Sequence, residues 1–213
     1  MIATIFDIDG TLVESSDFDG EFYTSAVMEV LGHVNIHDDW NAYSKVTQTG
    51  VLLQIMEENN IRDNGHVKEV RMRFGHMIRN YLETGGKCPP KAGSIGFMEG
   101  LEKSHDIRVG FATGGWGHTA RLKLIHAGFD HEEKVLISCD DADERVEIMS
   151  KCLSRLGDSI DRVVYLGDAE WDLRATSRLG WNFIGIGPRL KGRCDSWALD
   201  FSDHDLLCDM IRA

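Results

Sequence analysis

Two hydrophobic rhythms alternate along most of the chain. Short apolar runs rich in β-branched and aromatic residues read as buried strands. Stretches whose apolar residues recur every three or four positions read as helices with one buried face. The first strand-like run is Ala3 to Phe6. Four more come later, at Ile107 to Ala112, Val135 to Ser138, Val163 to Leu166 and Trp181 to Ile186. Helical spacing covers Ser94 to Ser104, His118 to Ala127, Arg145 to Leu156 and Glu170 to Leu179, with a last helix near Asp203 to Ile211. Strands that alternate with helices imply an α/β class. Parallel strands need such crossovers, and the crossovers are right-handed.

Between Asp17 and Glu83 the strand rhythm stops. Asp17 or Asp19 would cap a helix through Phe22, Ala26, Val27, Val30 and Leu31, ended by Gly32. Asp38 or Asp39 would cap a second, through Trp40, Tyr43 and Val46. Thr49 would cap a third, with Val51, Leu52, Ile55 and Met56 on one face, and His66 to Tyr81 forms a longer amphipathic run. The run Gly85-Gly86-Lys87-Cys88-Pro89-Pro90 is a strong breaker. The expected organisation is an α/β core of residues 1–15 and 90–213, interrupted by a helical domain of residues 16–89.

The first strand ends in Asp7-Ile8-Asp9-Gly10-Thr11-Leu12-Val13. Two carboxylates at the end of an apolar strand are expensive to bury unless paired or metal-bound. A site for magnesium and a phosphate would use them, together with a glycine and a hydroxyl that let the backbone approach an anion. An Asp-Gly hairpin turn is the structural alternative. Thr113-Gly114-Gly115 follows the second strand, where a hydroxyl and free N–H groups at a helix start make an anion site. Leu166-Gly167-Asp168 closes another strand, and Asp172 lies one helical turn beyond Asp168. Acids in a first helical turn are also favoured by the helix dipole alone.

In this order, Asp-x-Asp-Gly-Thr-Leu-Val, the Thr-Gly turn and Gly-Asp-x-x-x-Asp resemble the motifs of the haloacid dehalogenase-like phosphohydrolases. The resemblance runs from Ala3 to about Gly187. It implies a doubly wound parallel sheet of order 5-4-1-2-3 with an inserted helical cap, bringing Asp7 and Asp168 together. It also implies phosphomonoester hydrolysis with Mg2+ through an aspartyl-phosphate. Asp7 would be the nucleophile and Asp9 the acid and base. Asp7, Asp168, Asp172 and the main-chain carbonyl of Asp9 would be the metal ligands. Thr113, Gly114 and Arg145 would hold the phosphoryl group. The family usually places a Lys where Arg145 stands, before the helix preceding the Gly-Asp strand; Lys151 lies six residues further along that helix. A phosphomutase would share the same core residues. A true dehalogenase would need neither a second Asp nor magnesium.

A rival from another class is also written here. Gly115-Trp116-Gly117-His118-Thr119-Ala120 matches G-x-G-x-x-A after a strand, and Asp140 ends the next strand where a ribose-binding acid would sit. That pattern would make the protein a dinucleotide-binding oxidoreductase, and would leave Asp7, Asp9 and Asp168 without a role.

Composition narrows the partners. A net charge of −12 argues against nucleic acid and anionic membranes. A small phosphorylated metabolite would then need a local cation. No apolar run reaches the ~18 residues of a membrane helix, and the N-terminus lacks a signal pattern. The five cysteines lack C-x-x-C spacing, as expected for reduced thiols in a cytoplasmic protein. The oligomeric state is left open.

Overall fold

The computed structural model describes residues 1–129 and 134–213. The chain opens with β1 (Ile2–Phe6), then runs through α1 (Ser16–Leu31), α2 (Gln48–Glu58) and α3 (His66–Glu83) without a strand. It continues as α4 (Ser94–Glu102), β2 (Ile107–Ala112), α5 (Gly117–His126), β3 (Val135–Ile137), α6 (Arg145–Leu156) and β4 (Arg162–Gly167). It ends with α7 (Glu170–Leu179), β5 (Asn182–Ile186), β6 (Trp197–Ala198) and α8 (His204–Arg212).

The strands form one parallel sheet of order β3-β2-β1-β4-β5-β6. This is the expected α/β doubly wound order with one strand added. The two-residue β6 was not anticipated: so short a segment carries no periodicity, and its pairing with β5 comes from tertiary contact. β1 and β4 are continuous apolar runs because helices cover both faces of a parallel sheet; from Ala3 to Phe6 and from Val164 to Leu166 every residue is buried. Phe6 pairs with Phe111 on one side and Leu166 on the other. The residues just beyond these three therefore emerge along one carboxyl edge.

The segment between α1 and α3 contributes no strand. Its second expected helix is reduced to a single 3₁₀ turn, Trp40–Ala42, capped by the Asp39 carboxylate accepting from the Asn41 N–H. The chain then becomes extended at Tyr43 and is captured by Thr47, which is the cap of α2 in place of Thr49. The Thr47 hydroxyl oxygen accepts from the Gly50 N–H at 3.0 Å. The outgoing and returning connections lie side by side. Glu14 N–H donates to the Pro89 carbonyl at 2.9 Å, and Lys91 N–H donates to the Leu12 carbonyl at 2.8 Å.

The return into α4 passes through Gly93, at φ +76°, where an added Cβ would lie 2.4 Å from the Phe201 carbonyl oxygen. Gly100 sits exposed inside α4 with nothing near its missing Cβ. Gly93→Ala should therefore cost at least 1 kcal/mol, while Gly100→Ala should gain about 0.4–1 kcal/mol by restricting the unfolded chain. Urea denaturation of the two variants checks the opposite signs.

Candidate active site

Three strand ends supply the first side chains. Asp7 follows β1, and its N–H is tied to the Leu166 carbonyl of β4 at 2.9 Å. Asp168 follows β4, and Thr113 follows β2. Asp172 lies in the first turn of α7, where its carboxylate accepts from the Ala169 N–H at 3.3 Å and caps that helix. Asp7, Asp168 and Asp172 are buried, and one carboxylate oxygen of each lies within 4.8 Å of the others. The loop after Asp7 fits because residue 10 is glycine. It adopts φ +80°, and a Cβ there would meet Asp168 Oδ2 at 2.4 Å.

Arg145, the first residue of α6, reaches this cluster. Its Nη1 donates to Asp172 Oδ1 at 2.7 Å and to Asp7 Oδ1 at 3.3 Å. Tyr165 stands beside it, accepting from Nη1 at 3.4 Å and donating to the Ala112 carbonyl at 2.9 Å. Gly114 gives the guanidinium its space, since a Cβ there would lie 2.6 Å from Nη2. Arg145 Nε is buried and has no hydrogen-bond partner among the described residues. The Thr113 hydroxyl oxygen accepts from the Gly115 N–H at 3.0 Å, shaping the turn. Lys151 is elsewhere, its ammonium on the Asp141 carbonyl.

The cluster holds more negative than positive charge. Burial, then the charge of Asp172, pushes the Asp7 carboxyl up to about 8, against the pull of Arg145. Burial and the Asp7 charge push Asp168 up to about 7. Burial raises Asp172 to about 6 although Arg145 opposes it. An all-oxygen set of buried carboxylates short of positive charge fits a hard divalent cation. The guanidinium Nη2 of Arg145, beside the Gly114 turn, fits an anion with several oxygens.

Asp9 is handled differently. Its Oδ1 accepts from the Ser15 hydroxyl at 2.6 Å and is ion-paired with Lys123 of α5. Lys123 has no exposed surface and also pairs with Asp19 of α1 at 2.7 Å. Sequence reading missed this lysine. The signal was present: Ala120, Lys123, Leu124 and Ala127 share one helical face, and all four are buried. A charged residue in an apolar stripe asks for a partner.

The helical segment closes the site. Gln48 N–H donates to the Gly114 carbonyl at 2.8 Å, its side-chain amide reaches Asp19 at 3.3 Å, and its Oε1 accepts the Trp116 N–H at 2.8 Å. A cavity of about 180 Å³ remains, lined by Asp7, Asp9, Thr113 and Arg145 below and by Asp19, Gln48 and Trp40 above. At its mouth Arg189, more than half exposed, pairs with Asp168 at 3.2 Å.

The acid required by a dinucleotide is otherwise engaged. Asp140 accepts the Gly117 N–H at the start of α5 and pairs with Arg71 of α3 at 2.9 Å. Gln48 meanwhile covers the Trp116 N–H. The glycine turn is thus capped by side chains where a pyrophosphate would have to lie.

The sequence model of the haloacid dehalogenase-like hydrolases matches residues 4–186. No curated protein matches the chain. Among solved structures it is similar to a hydrolase from Pseudomonas syringae, at 20% identity and TM-score 0.76, covering 98% of each chain. It is similar to a β-phosphoglucomutase from Clostridium difficile, at 15% identity and TM-score 0.76, covering 100% of this chain and 98% of the other. It also resembles CbbY from Rhodobacter sphaeroides, solved with phosphate, at 19% identity and TM-score 0.72, covering 94% and 95%. At these identities the likeness is one of fold.

The carboxylate shifts fix a sign. Asp7, Asp168 and Asp172 all stand above the usual 3.8 in the folded protein. Between about pH 4 and pH 8 the folded state therefore binds more protons than the unfolded chain, and stability falls as pH rises. In EDTA, the melting temperature should drop between pH 5 and pH 8. A divalent cation, which competes with those protons, should raise it more at pH 8 than at pH 5. Thermal melts across that range check both slopes.

Proposed function

The chain belongs to the haloacid dehalogenase-like hydrolase family, and on that premise we propose that it is a magnesium-dependent phosphatase of small phosphomonoesters. One observation carries this reading. The buried Asp7 carboxylate lies 3.3 Å from the Arg145 guanidinium, at an open-mouthed cavity that Thr113 and Gly114 also line. Nucleophile, cation and anion turn thus converge on one space that can hold a phosphoryl group and part of its leaving group.

In the proposed reaction the substrate phosphate sits against Thr113, the Gly114 N–H and Arg145. An Asp7 oxygen attacks phosphorus, the ester P–O bond breaks, and the leaving oxygen takes a proton from Asp9. Water then attacks the aspartyl-phosphate, giving its proton to Asp9. Phosphate leaves and Asp7 is regenerated. Mg2+, held by the carboxylates of Asp7, Asp168 and Asp172 and the main-chain carbonyl of Asp9, would offset the repulsion between Asp7 and the anionic substrate. Asp172 has a second task in this scheme: its 2.7 Å contact aims the Arg145 guanidinium toward Asp7. Residues 16–89 act as the cap, and Asp19, Trp40 and Gln48 face the leaving group.

A phosphomutase is the second reading. Its support is the fold shared with the Clostridium difficile β-phosphoglucomutase. The two readings differ in whether water or a second hydroxyl of a sugar phosphate takes the phosphoryl group from Asp7.

A screen of small phosphate esters should give phosphate release that is lost in EDTA and restored by magnesium. Sugar phosphate isomerised without free phosphate would favour the mutase, and full activity in EDTA would defeat both. Asp7→Asn should abolish turnover with the fold intact by circular dichroism. Arg145→Ala should cost about 10²-fold or more in kcat/KM, the scale of other electrostatic stabilisers, while Lys151→Ala stays near wild type. Substantial steady-state activity in Asp7→Asn would exclude the covalent route.

A further inference from the structure

Lys123 is a fully buried ammonium outside the scheme above. It joins three elements: its own helix α5, the loop after β1 through Asp9, and α1 through Asp19. Burial works to neutralise a lysine, and here the charges of Asp19 and Asp9 outweigh burial and hold it protonated. Gln48 supports the far side of Asp19 with its amide at 3.3 Å. The ammonium therefore has a fixed place among fixed partners.

Its contact on Asp9 is one-sided. Oδ1 takes both the Lys123 ammonium and the Ser15 hydroxyl. Oδ2 takes neither; it lies beside the phosphate turn, 3.3 Å from where a Cβ on Gly115 would stand. Two donors thus clamp one oxygen and present the other to the cavity. A carboxylate side chain on an open loop would otherwise rotate freely about χ2, which is a broad torsion.

We propose that Lys123 is a positioning residue for Asp9. Clamped at Oδ1 by Lys123 and Ser15, the carboxylate keeps Oδ2 facing the leaving-group oxygen, and Asp19 lets α1 of the cap share in that orientation. The inference rests on the reading of Asp9 as proton donor. Lys123 touches neither substrate nor phosphorus, so it acts only through the step that Asp9 performs. In the phosphoryl-transfer step its removal should be felt where the leaving group needs a proton and be nearly silent where it does not. In the later hydrolysis of the aspartyl-phosphate, where Asp9 takes the proton of water, it should be felt with either ester.

The test compares 4-nitrophenyl phosphate, whose phenolate leaves without acid help, with glycerol phosphate, whose alkoxide does not. The readout is the single-turnover rate of leaving-group release, which precedes hydrolysis of the aspartyl-phosphate. Asp9→Asn is the control and should lose about 10²-fold or more in that rate on the alkyl ester relative to the aryl ester. Lys123→Met should show the same selective loss in the single-turnover rate of leaving-group release, with little change in the substrate concentration that half-saturates it. Should Lys123→Met fail to fold, Lys123→Met combined with Asp19→Asn removes the ammonium together with the buried carboxylate it neutralises. That double variant should carry the same signature. If Asp9→Asn discriminates between the esters while the Lys123 variants lose equally on both, or on neither, the positioning role is overturned and Asp9 remains the acid. If Asp9→Asn loses equally on both esters, the acid–base reading of Asp9 falls and this inference with it.

Discussion

Buried negative charge is the constraint around which this molecule is arranged. Asp7, Asp9, Asp19, Asp168 and Asp172 meet at the carboxyl edge of the sheet, and their direct cationic partners are Arg145, Lys123 and Arg189. Taking an ion out of water costs several kcal/mol even after relaxation, so each carboxylate needs a cation or a proton. Arg145 is shared between Asp7 and Asp172, and Lys123 between Asp9 and Asp19. Arg189 is half in solvent and contributes little to Asp168. The deficit appears as the raised proton affinities of Asp7, Asp168 and Asp172. A site that stores such a deficit is one that a hard cation and an anionic ester can occupy together.

The two shared cations divide the acids by task. The Arg145 group sits among the strand ends, where Tyr165 and the glycine turn fix the guanidinium in place. The Lys123 group lies toward the helical segment and carries Asp9. Two carboxylates separated by a single residue, Asp7 and Asp9, thus belong to different ion clusters. In the proposed chemistry one attacks phosphorus and the other moves a proton, and those demands differ in the same way.

The helical segment matters because it completes the enclosure. Thr47 lends its hydroxyl proton to the Asp143 carbonyl at 3.0 Å, and Gln48 bonds the Gly114 carbonyl and the Trp116 N–H. These contacts fall on the loops that hold the Thr113–Gly115 turn and Arg145, so the segment's seat and the geometry of the site are coupled. Tyr23 adds to the same joint by donating to the Gln48 carbonyl at 2.7 Å.

The sequence by itself determined the α/β class, five of the six strands and most helix boundaries. These follow from local hydrophobic period and from turn residues, and they need no knowledge of what lies across the sheet. It also marked Asp7, Asp9, Thr113 and Asp168, because polar residues just past the ends of apolar strands stand out against their surroundings, and Asp172 by its spacing one helical turn beyond Asp168. Tertiary structure alone decided the rest. The meeting of strand ends separated by some 160 residues depends on strand order, which a linear pattern does not contain. The 3₁₀ turn at Trp40–Ala42 replaced a helix because Thr47 captured the chain, and β6 exists only as a neighbour of β5. Lys123 was visible as a charge on an apolar stripe, yet its partners Asp9 and Asp19 lie more than 100 residues away. A buried charge declares in sequence that it needs a counter-charge; only folding, which fixes distances between remote residues, chooses which one.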